Sequence, residues 1–170
     1  MDAPTRFASF PEDARLWVYA ATTPLTDDDI AHVKRRVGAF LQDWSSHGRP
    51  VRGALHIQER RFIMLAATLD EGNISGCGID ASVHVVEDVA NARDIAWIPA
   101  LHVIYRDAEG HIQHCSRPQF RTLVDAGDAT ADTPVFDPSI TSVHALHSGQ
   151  FEQPAGSSWH AQAFDLRQPA

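Results

Sequence analysis

The chain has 170 residues, of which 44% are hydrophobic, and this length and composition predict one globular domain spanning residues 1–170. Acidic residues outnumber basic residues by 22 to 14, which gives a formal net charge of -8. This sign disfavours nucleic acids and anionic membranes as partners, because binding to either depends on positive protein charge.

The N-terminal part of the chain predicts a strand followed by an amphipathic helix. Residues 15–20 are rich in aromatic and β-branched side chains, as strands are. Thr26 is a good helix N-cap, and the three aspartates after it suit the positive end of a helix dipole. Apolar residues then recur at helical spacing up to Trp44, and Gly48 with Pro50 ends the pattern.

Two further strands and a second helix are predicted next. Residues 53–58 and 61–69 are largely apolar runs, and a tight polar turn at Glu59 and Arg60 joins them. A loop follows, and the second helix is predicted from about residue 80 to residue 92.

The next part of the chain predicts a hairpin and a short helix. Residues 101–106 and 111–115 flank a turn and read as paired strands. A short helix is expected to start at Pro118 and to stop at Gly127.

The C-terminal part, residues 128–170, contains several prolines. It predicts an irregular tail packed on a core formed by residues of about 12–127. The expected anchors of this tail are Val135, Phe136, Phe151, Trp159 and Phe164.

The order of the predicted elements indicates the fold class. Strand, helix, strand, strand, helix, strand is the βαββαβ order of the ferredoxin-like fold. We therefore expect an α+β protein with a ferredoxin-like core, a mostly antiparallel sheet and helices on one face. An extra hairpin strand, a short helix and the irregular C-terminal tail follow this core.

The segment 75–84 is the most unusual of the chain, since it combines two glycines, a thiol, a carboxylate, two hydroxyls and an imidazole. It lies where the third strand gives way to the second helix, and a helix N-terminus offers free N–H groups and positive charge. We therefore expect a small polar or anionic ligand, or a protein partner, to bind there. The predicted binding residues are Ser75, Gly76, Gly78, Asp80 and, on a neighbouring strand, His56.

Two alternatives for this segment remain open. In the first, the protein is a small enzyme in which Cys77 is the catalytic nucleophile and His84 or His56 is the base. In the second, Ser75 or Asp80 caps the helix and Cys77 fills a buried gap. The protein would then be a structural module that forms a homodimer through a face or an edge of its sheet.

No cofactor and no metal site are predicted, although the chain has 10 histidines. His111 and His114 would point to opposite faces of a strand, and His144 and His147 share a face only in a helix. Neither pair has the additional cysteine or carboxylate spacing of a zinc motif.

Neither a membrane segment nor a disulfide framework is predicted. No window approaches 18 apolar residues, and the first residues lack the apolar region of a signal peptide. The two cysteines, Cys77 and Cys115, suit reduced thiols, and we expect the protein in the cytoplasm.

Five stretches of the chain form a distinctive set: residues 14–19 (ARLWVY), 44–48 (WSSHG), 61–63 (RFI), 75–84 (SGCGIDASVH) and 158–160 (SWH). In these stretches the chain resembles a family of small uncharacterised bacterial proteins, found chiefly in the Bacteroidetes and their relatives. Members often carry the automatic label "ABC transporter ATPase", and the resemblance implies no established activity. The label conflicts with the sequence, because a P-loop needs a lysine next to glycines. Lys34 is the only lysine, and it lies within a predicted helix without them.

Overall fold

The computed structural model describes residues 6–166, and it confirms the α+β class. The strands are β1 (Arg15–Ala20), β2 (Ser45–Ser46), β3 (Arg49–Pro50), β4 (Arg52–Gln58), β5 (Phe62–Thr68), β6 (Val103–Arg106), β7 (Ile112–Cys115), β8 (Pro134–Phe136) and β9 (Glu152–Pro154). The helices are α1 (Asp27–Asp43), α2 (Gly76–Arg93), α3 (Arg117–Ala126), α4 (Val143–His147) and α5 (His160–Ala163). No helix among residues 6–166 has the length and hydropathy needed to cross a bilayer.

The described chain forms two compact units. The first contains the described residues up to Trp97 together with residues 139–147, and the second contains residues 98–138 and the described residues from Ser148 onward. The expected core of 12–127 and tail of 128–170 therefore divide the chain differently from these units. One domain over residues 1–170 stays a prediction.

The sheet of the first unit has the antiparallel order β1-β5-β4. Strand β5 is buried from Phe62 to Ala67, because it is the central strand and both of its faces are covered. The predicted fourth strand, β6, pairs with β7 and β8 in another sheet. An isolated bridge between Ala21 and Trp97 lies next to β1 instead, so the complete ferredoxin-like sheet stays a prediction.

Helices α1 and α2 cover one face of this sheet. A capping box starts α1, in which the Asp29 N–H donates to Thr26 Oγ1 and the Thr26 N–H donates to Asp29 Oδ2, both at 3.0 Å. Apolar residues of both helices and of the sheet form one buried cluster. Its buried members are Ala21, Leu25, Val33, Val37, Ile63, Leu65, Val86 and Val89.

The N-terminal segment lies on the other face of the sheet, where the Phe7 ring is 6.2 Å from that of His56, and α4 contacts this segment. His147 Nε2 lies 2.6 Å from the carbonyl oxygen of Arg6, and His147 Nδ1 lies 2.7 Å from Glu12 Oε1. His144 Nδ1 lies 3.3 Å from the other oxygen of Glu12. The two histidines do share a helix face, and together they hold the N-terminal segment through one carboxylate.

The second unit is built on a sheet of order β7-β6-β8-β9. The C-terminal part contributes the strands β8 and β9 to this sheet and is therefore not the irregular tail that its prolines suggest. Pro134 and Pro154 lie opposite each other at the ends of these strands, where a missing N–H is tolerated. Four of the five expected anchors are buried. Trp159 is 39% exposed, and its ring stacks on that of the buried His160, with the centroids 3.7 Å apart.

Candidate functional site

The segment 75–84 is the beginning of a helix. Ser75 is the N-cap of α2, and its hydroxyl accepts a hydrogen bond of 3.1 Å from the Gly78 N–H. The helix therefore starts at Gly76 rather than near Asp80, and neither Gly76 nor Gly78 has a positive φ. The cap at Ser75 places both glycines within the first helical turn.

Gly78 is needed for a close contact. A Cβ at this position would lie 3.1 Å from Ile74 Cγ2 and 3.4 Å from Ser46 Oγ. The Trp44 indole donates a 3.0 Å hydrogen bond to the Gly78 carbonyl, and the Ser75 N–H donates a 2.8 Å bond to Ser46 Oγ. These contacts fix the start of α2 against β2, so the buried half of the segment has a structural role.

The exposed residues of the segment are Gly76, Cys77, Asp80 and His84. Cys77 and His84 are separated by two helical turns, a rise of about 10.5 Å along the axis of α2. A nucleophile and its base must lie within hydrogen-bond reach, so this arrangement gives no support to proton transfer between these two residues.

His56 does not join this segment. Leu55 and Ile57, on either side of it in β4, pack into the apolar cluster beneath α1 and α2. Side chains alternate along a strand, so His56 points to the opposite face, where its ring lies 6.2 Å from that of Phe7. Burial, and then the charge of Arg6, lowers the pKa of His56. The sheet therefore separates His56 from Cys77 and His84.

A groove along β4 is a feature that the sequence analysis did not identify. Strand β4 pairs with β5 on one side, and no strand of residues 6–166 pairs with its other side. A groove of about 390 Å³ follows this edge, and we call it the β4 groove. Its lining residues are Ile30, Lys34, Leu55, His56, Ile57, Glu59 and Arg60.

The backbone of β4 forms part of this groove. Leu55, His56 and Ile57 are consecutive, and their side chains point alternately to the two faces of the sheet. Three such residues line one groove when the groove runs along the edge of the strand. Apart from Arg52 at its start, β4 carries no Asp, Glu, Lys or Arg and no proline, which are the side chains that commonly protect an edge.

Two cations border the β4 groove. Arg60 Nη1 lies 2.6 Å from Asp27 Oδ1, so this guanidinium is already paired. The ammonium of Lys34 has no ion pair among residues 6–166. The groove therefore combines apolar side chains, unpaired strand backbone and one cation open to a ligand.

The opposite edge of the same sheet is protected. Ala21, just after β1, bridges Trp97, and Arg15 bridges Ser142. The Leu16 N–H also donates a 3.0 Å hydrogen bond to the Thr141 carbonyl. Residues from distant parts of the chain thus form backbone bridges at both ends of the β1 edge. The N-terminal segment reaches the ends of β4 only through side chains, since Arg6 donates to Gln58 and Arg52 donates to the Ser9 carbonyl.

Histidine and carboxylate groups also meet on the β6–β7 hairpin. Asp107, Glu109 and His111 place ligand atoms within 4.8 Å of one another. Asp107 already accepts hydrogen bonds from the N–H groups of Glu109 and His111 and from the Gln113 amide, and the last of these is the main cause of its lowered pKa. These bonds hold the turn of the hairpin, so the cluster has a structural explanation without a metal ion.

A second histidine contact joins His102 and His114, whose Nδ1 atoms are 3.1 Å apart. The ring centroids are 5.3 Å apart, so the nitrogens point at each other. This head-on geometry suits a hydrogen bond between two imidazoles.

His160 is the most buried polar side chain of the second unit, with no exposed surface. Its Nδ1 lies 2.7 Å from Ser158 Oγ, and its Nε2 has no hydrogen-bond partner among the described residues. The rings of Phe120 and Phe164 lie beside it. Burial lowers the pKa of His160 to about 4, so the imidazole is neutral at neutral pH.

Comparison with protein-family models, with curated proteins and with solved structures found no match for this chain. The resemblance to the small bacterial proteins therefore stays a prediction. The function has to be argued from the geometry of the described residues.

Proposed function

We propose that the protein is an interaction module that binds an extended segment of a protein chain in the β4 groove. The observation that carries this proposal is the unpaired edge of β4, which opens on a groove lined by its own backbone. Unpaired N–H and C=O groups at a sheet edge form hydrogen bonds with an added strand.

The lining of the groove supports a polypeptide ligand. Ile30 of α1 and, beneath this helix, Leu55 and Ile57 offer apolar contacts. An extended segment presents a side chain to one face at every second residue. Lys34 favours an acidic side chain or a carboxyl-terminus at the adjacent position. The formal charge of -8 supports a protein partner over nucleic acid or an anionic membrane, and we place this function in the cytoplasm.

A small-ligand site at residues 75–84 has less support from the geometry. The Ser75 hydroxyl already accepts from the Gly78 N–H, and Gly78 is buried against Ser46. In this proposal the segment anchors α2, and the exposed Cys77 takes no part in catalysis.

The test uses peptides selected from a random phage-displayed library against the immobilised full-length protein. We expect hydrogen–deuterium exchange with a synthesised selected peptide to show protection of residues 52–58. Replacing Lys34→Trp should abolish peptide binding, because an indole at this exposed helix position fills the groove.

The matched control is Arg35→Trp, which places the same indole about 100° further around α1, away from the groove. Peptide binding should survive this change. Protection confined to residues 76–84, with β4 unaffected, would contradict the proposal and favour the site at the start of α2.

A further inference from the structure

We propose that Glu12, His144 and His147 form a binding site for a divalent transition metal ion such as Zn²⁺. All three residues belong to the first unit, and none of them lines the β4 groove. The site therefore goes beyond the proposed function, and its test is separate from the peptide-binding test.

The two histidines meet the geometric condition that the sequence left open. Residues 143–147 form the helix α4, and side chains three positions apart lie on the same face of a helix. The carboxylate that the sequence around the histidines lacks comes from Glu12, which is 132 positions away from His144. Two histidines and one glutamate are the three protein ligands of a known type of zinc site, in which a fourth position stays open.

His147 has the tautomer that a metal ligand needs. Its Nε2 lies 2.6 Å from the Arg6 carbonyl oxygen, which only accepts hydrogen bonds, so Nε2 carries a proton. In the neutral imidazole the lone pair is then on Nδ1, and this atom lies 2.7 Å from Glu12 Oε1. Two acceptors at this distance need a positive charge next to both of them. A proton on Nδ1 supplies this charge in the metal-free protein, and a metal ion supplies it in the loaded protein.

The contact with the Arg6 carbonyl has a second consequence for His147. Metal-bound histidines usually donate the N–H of their other ring nitrogen to a backbone carbonyl or a carboxylate, which fixes the orientation of the ring. His147 already makes this contact through Nε2, so its Nδ1 is held towards Glu12.

The distances around the Glu12 carboxylate are close to those of a metal site. Ligand atoms that lie about 2.0–2.1 Å from a tetrahedral Zn²⁺ are about 3.3 Å from one another. His144 Nδ1 is 3.3 Å from Glu12 Oε2, and the 2.7 Å between His147 Nδ1 and Glu12 Oε1 has to lengthen by about 0.6 Å. The side chains of His144 and Glu12 are 66% and 58% exposed, so both have room to turn towards an ion at His147.

Backbone hydrogen bonds hold the ligand-bearing segments side by side. The His144 N–H donates a 2.8 Å bond to the Glu12 carbonyl, and the Val143 N–H donates a 3.0 Å bond to the Ala14 carbonyl. Val143 and Ala14 are buried, so packing fixes both segments. Metal binding therefore requires rotation of side chains and no rearrangement of the backbone.

The charges and the ligand types favour a transition metal ion. With neutral imidazoles the three ligands carry one negative charge, and the chain carries a formal net charge of -8. Arg6 is a cation near His147, but its guanidinium donates to Gln58, outside the set of ligands. Imidazole nitrogen suits Zn²⁺, Ni²⁺ and Cu²⁺, whereas Mg²⁺ and Ca²⁺ prefer oxygen ligands.

The first experiment is isothermal titration calorimetry of zinc chloride into the full-length protein at about pH 7.5, where the imidazoles are neutral. Cys77→Ser and Cys115→Ser remove the two thiols, which would bind zinc themselves. We expect one zinc ion per chain. Glu12→Gln and His147→Gln should each weaken zinc binding at least about tenfold, because each removes one of three ligands. Absence of zinc binding, or affinities unchanged by both substitutions, would overturn the inference.

The matched control is His111→Gln in the same background. His111 belongs to the cluster with Asp107 and Glu109 on the β6–β7 hairpin, which offers the same types of ligand atom. Zinc affinity should survive this change. Affinity that is lost with His111→Gln and kept with Glu12→Gln would place the zinc on the hairpin and overturn the inference.

The second experiment observes the ligands without changing them, because Glu12→Gln also removes a contact of the N-terminal segment. Long-range ¹H–¹⁵N NMR spectra distinguish an imidazole nitrogen that binds a metal from one that carries a proton. At saturating zinc, the Nδ1 signals of His144 and His147 should both shift, while His147 Nε2 keeps its proton. The signals are assigned from their absence in His144→Gln and His147→Gln. Unchanged Nδ1 signals of the two histidines at saturation would overturn the inference.

Discussion

Acidification should destabilise the second unit through His160. This imidazole has no exposed surface, and its Nε2 has no hydrogen-bond partner among the described residues, so a second proton would place a buried charge among aromatic rings. The negative charge of Asp137 offsets only part of this cost. Burial lowers the pKa of His160 from 6.5 to about 4. The unfolded chain therefore binds this proton more readily, and the stability from the neutral imidazole is full above pH 6.5 and is lost as the pH falls towards 4.

The size of the effect follows from the two pKa values. A difference of one pKa unit corresponds to about 1.4 kcal/mol, so the complete shift is worth about 3 kcal/mol below pH 4. At about pH 5 the loss in the free energy of unfolding is about 2 kcal/mol. This is a large part of the 5–15 kcal/mol, roughly, that stabilises a typical domain.

Urea denaturation of the full chain at about pH 7.5 and about pH 5 measures this loss. The control is His160→Gln, which keeps a polar amide and does not titrate, so its own loss of stability at pH 7.5 is subtracted. We expect the wild-type chain to lose about 2 kcal/mol more than the variant between the two pH values. Equal losses would refute the reading of His160 as a buried neutral imidazole.

Three further predictions concern the first unit. Hydrogen bonds that His147 donates to the Arg6 carbonyl and to Glu12 raise the pKa of His147, and the bond with His147 lowers the pKa of Glu12. The contact between His147 and Glu12 should therefore stabilise the N-terminal segment most between about pH 4.5 and 6.5, and limited proteolysis across this range measures the loss on either side. Gly78→Val should lower the free energy of unfolding by about 1–3 kcal/mol through overpacking, whereas Gly76→Ala, with open space around it, should not; similar urea midpoints for the two would contradict this. Maleimide labelling of the exposed Cys77 should leave the unfolding midpoint unchanged, and a lowered midpoint would show that the thiol is packed.

Features that depend on neighbouring residues could be predicted from the sequence. The capping box at Thr26 and the turn at Glu59 and Arg60 involve residues within three positions of one another, and both occur in the structure. The turn residues have φ values of 52° and 57°, a backbone conformation that polar residues in tight hairpins adopt.

The start of α2 could not be predicted in the same way. Ser75 and Asp80 are both acceptable N-caps, and two glycines between them resemble a turn. The contacts that decide between them come from Trp44 and Ser46, which are remote in sequence. Only the folded arrangement shows that Gly78 is required by a neighbour.

The orientation of His56 was available from the sequence, since it lies between Leu55 and Ile57 and alternation assigns it to the other face. The sheet to which β6 belongs could not be predicted from the sequence, because a strand's own residues do not specify its partner. The free edge of β4 depends on that same information: it is an edge because no other strand of the described chain reaches it.

The two edges of the first sheet show why reactive side chains are a poor guide to function here. The segment 75–84 has the most varied set of reactive side chains in the sequence, yet Ser75 and Gly78 form their hydrogen bonds within the fold. Residues 53–58 have few reactive side chains, yet their backbone faces a groove, and no strand of the described chain lies beside it. An unpaired strand edge favours aggregation unless it is blocked or used, and the chain blocks the β1 edge with residues around Trp97 and Ser142. Leaving β4 open in the same sheet is therefore best explained by a strand that pairs with it.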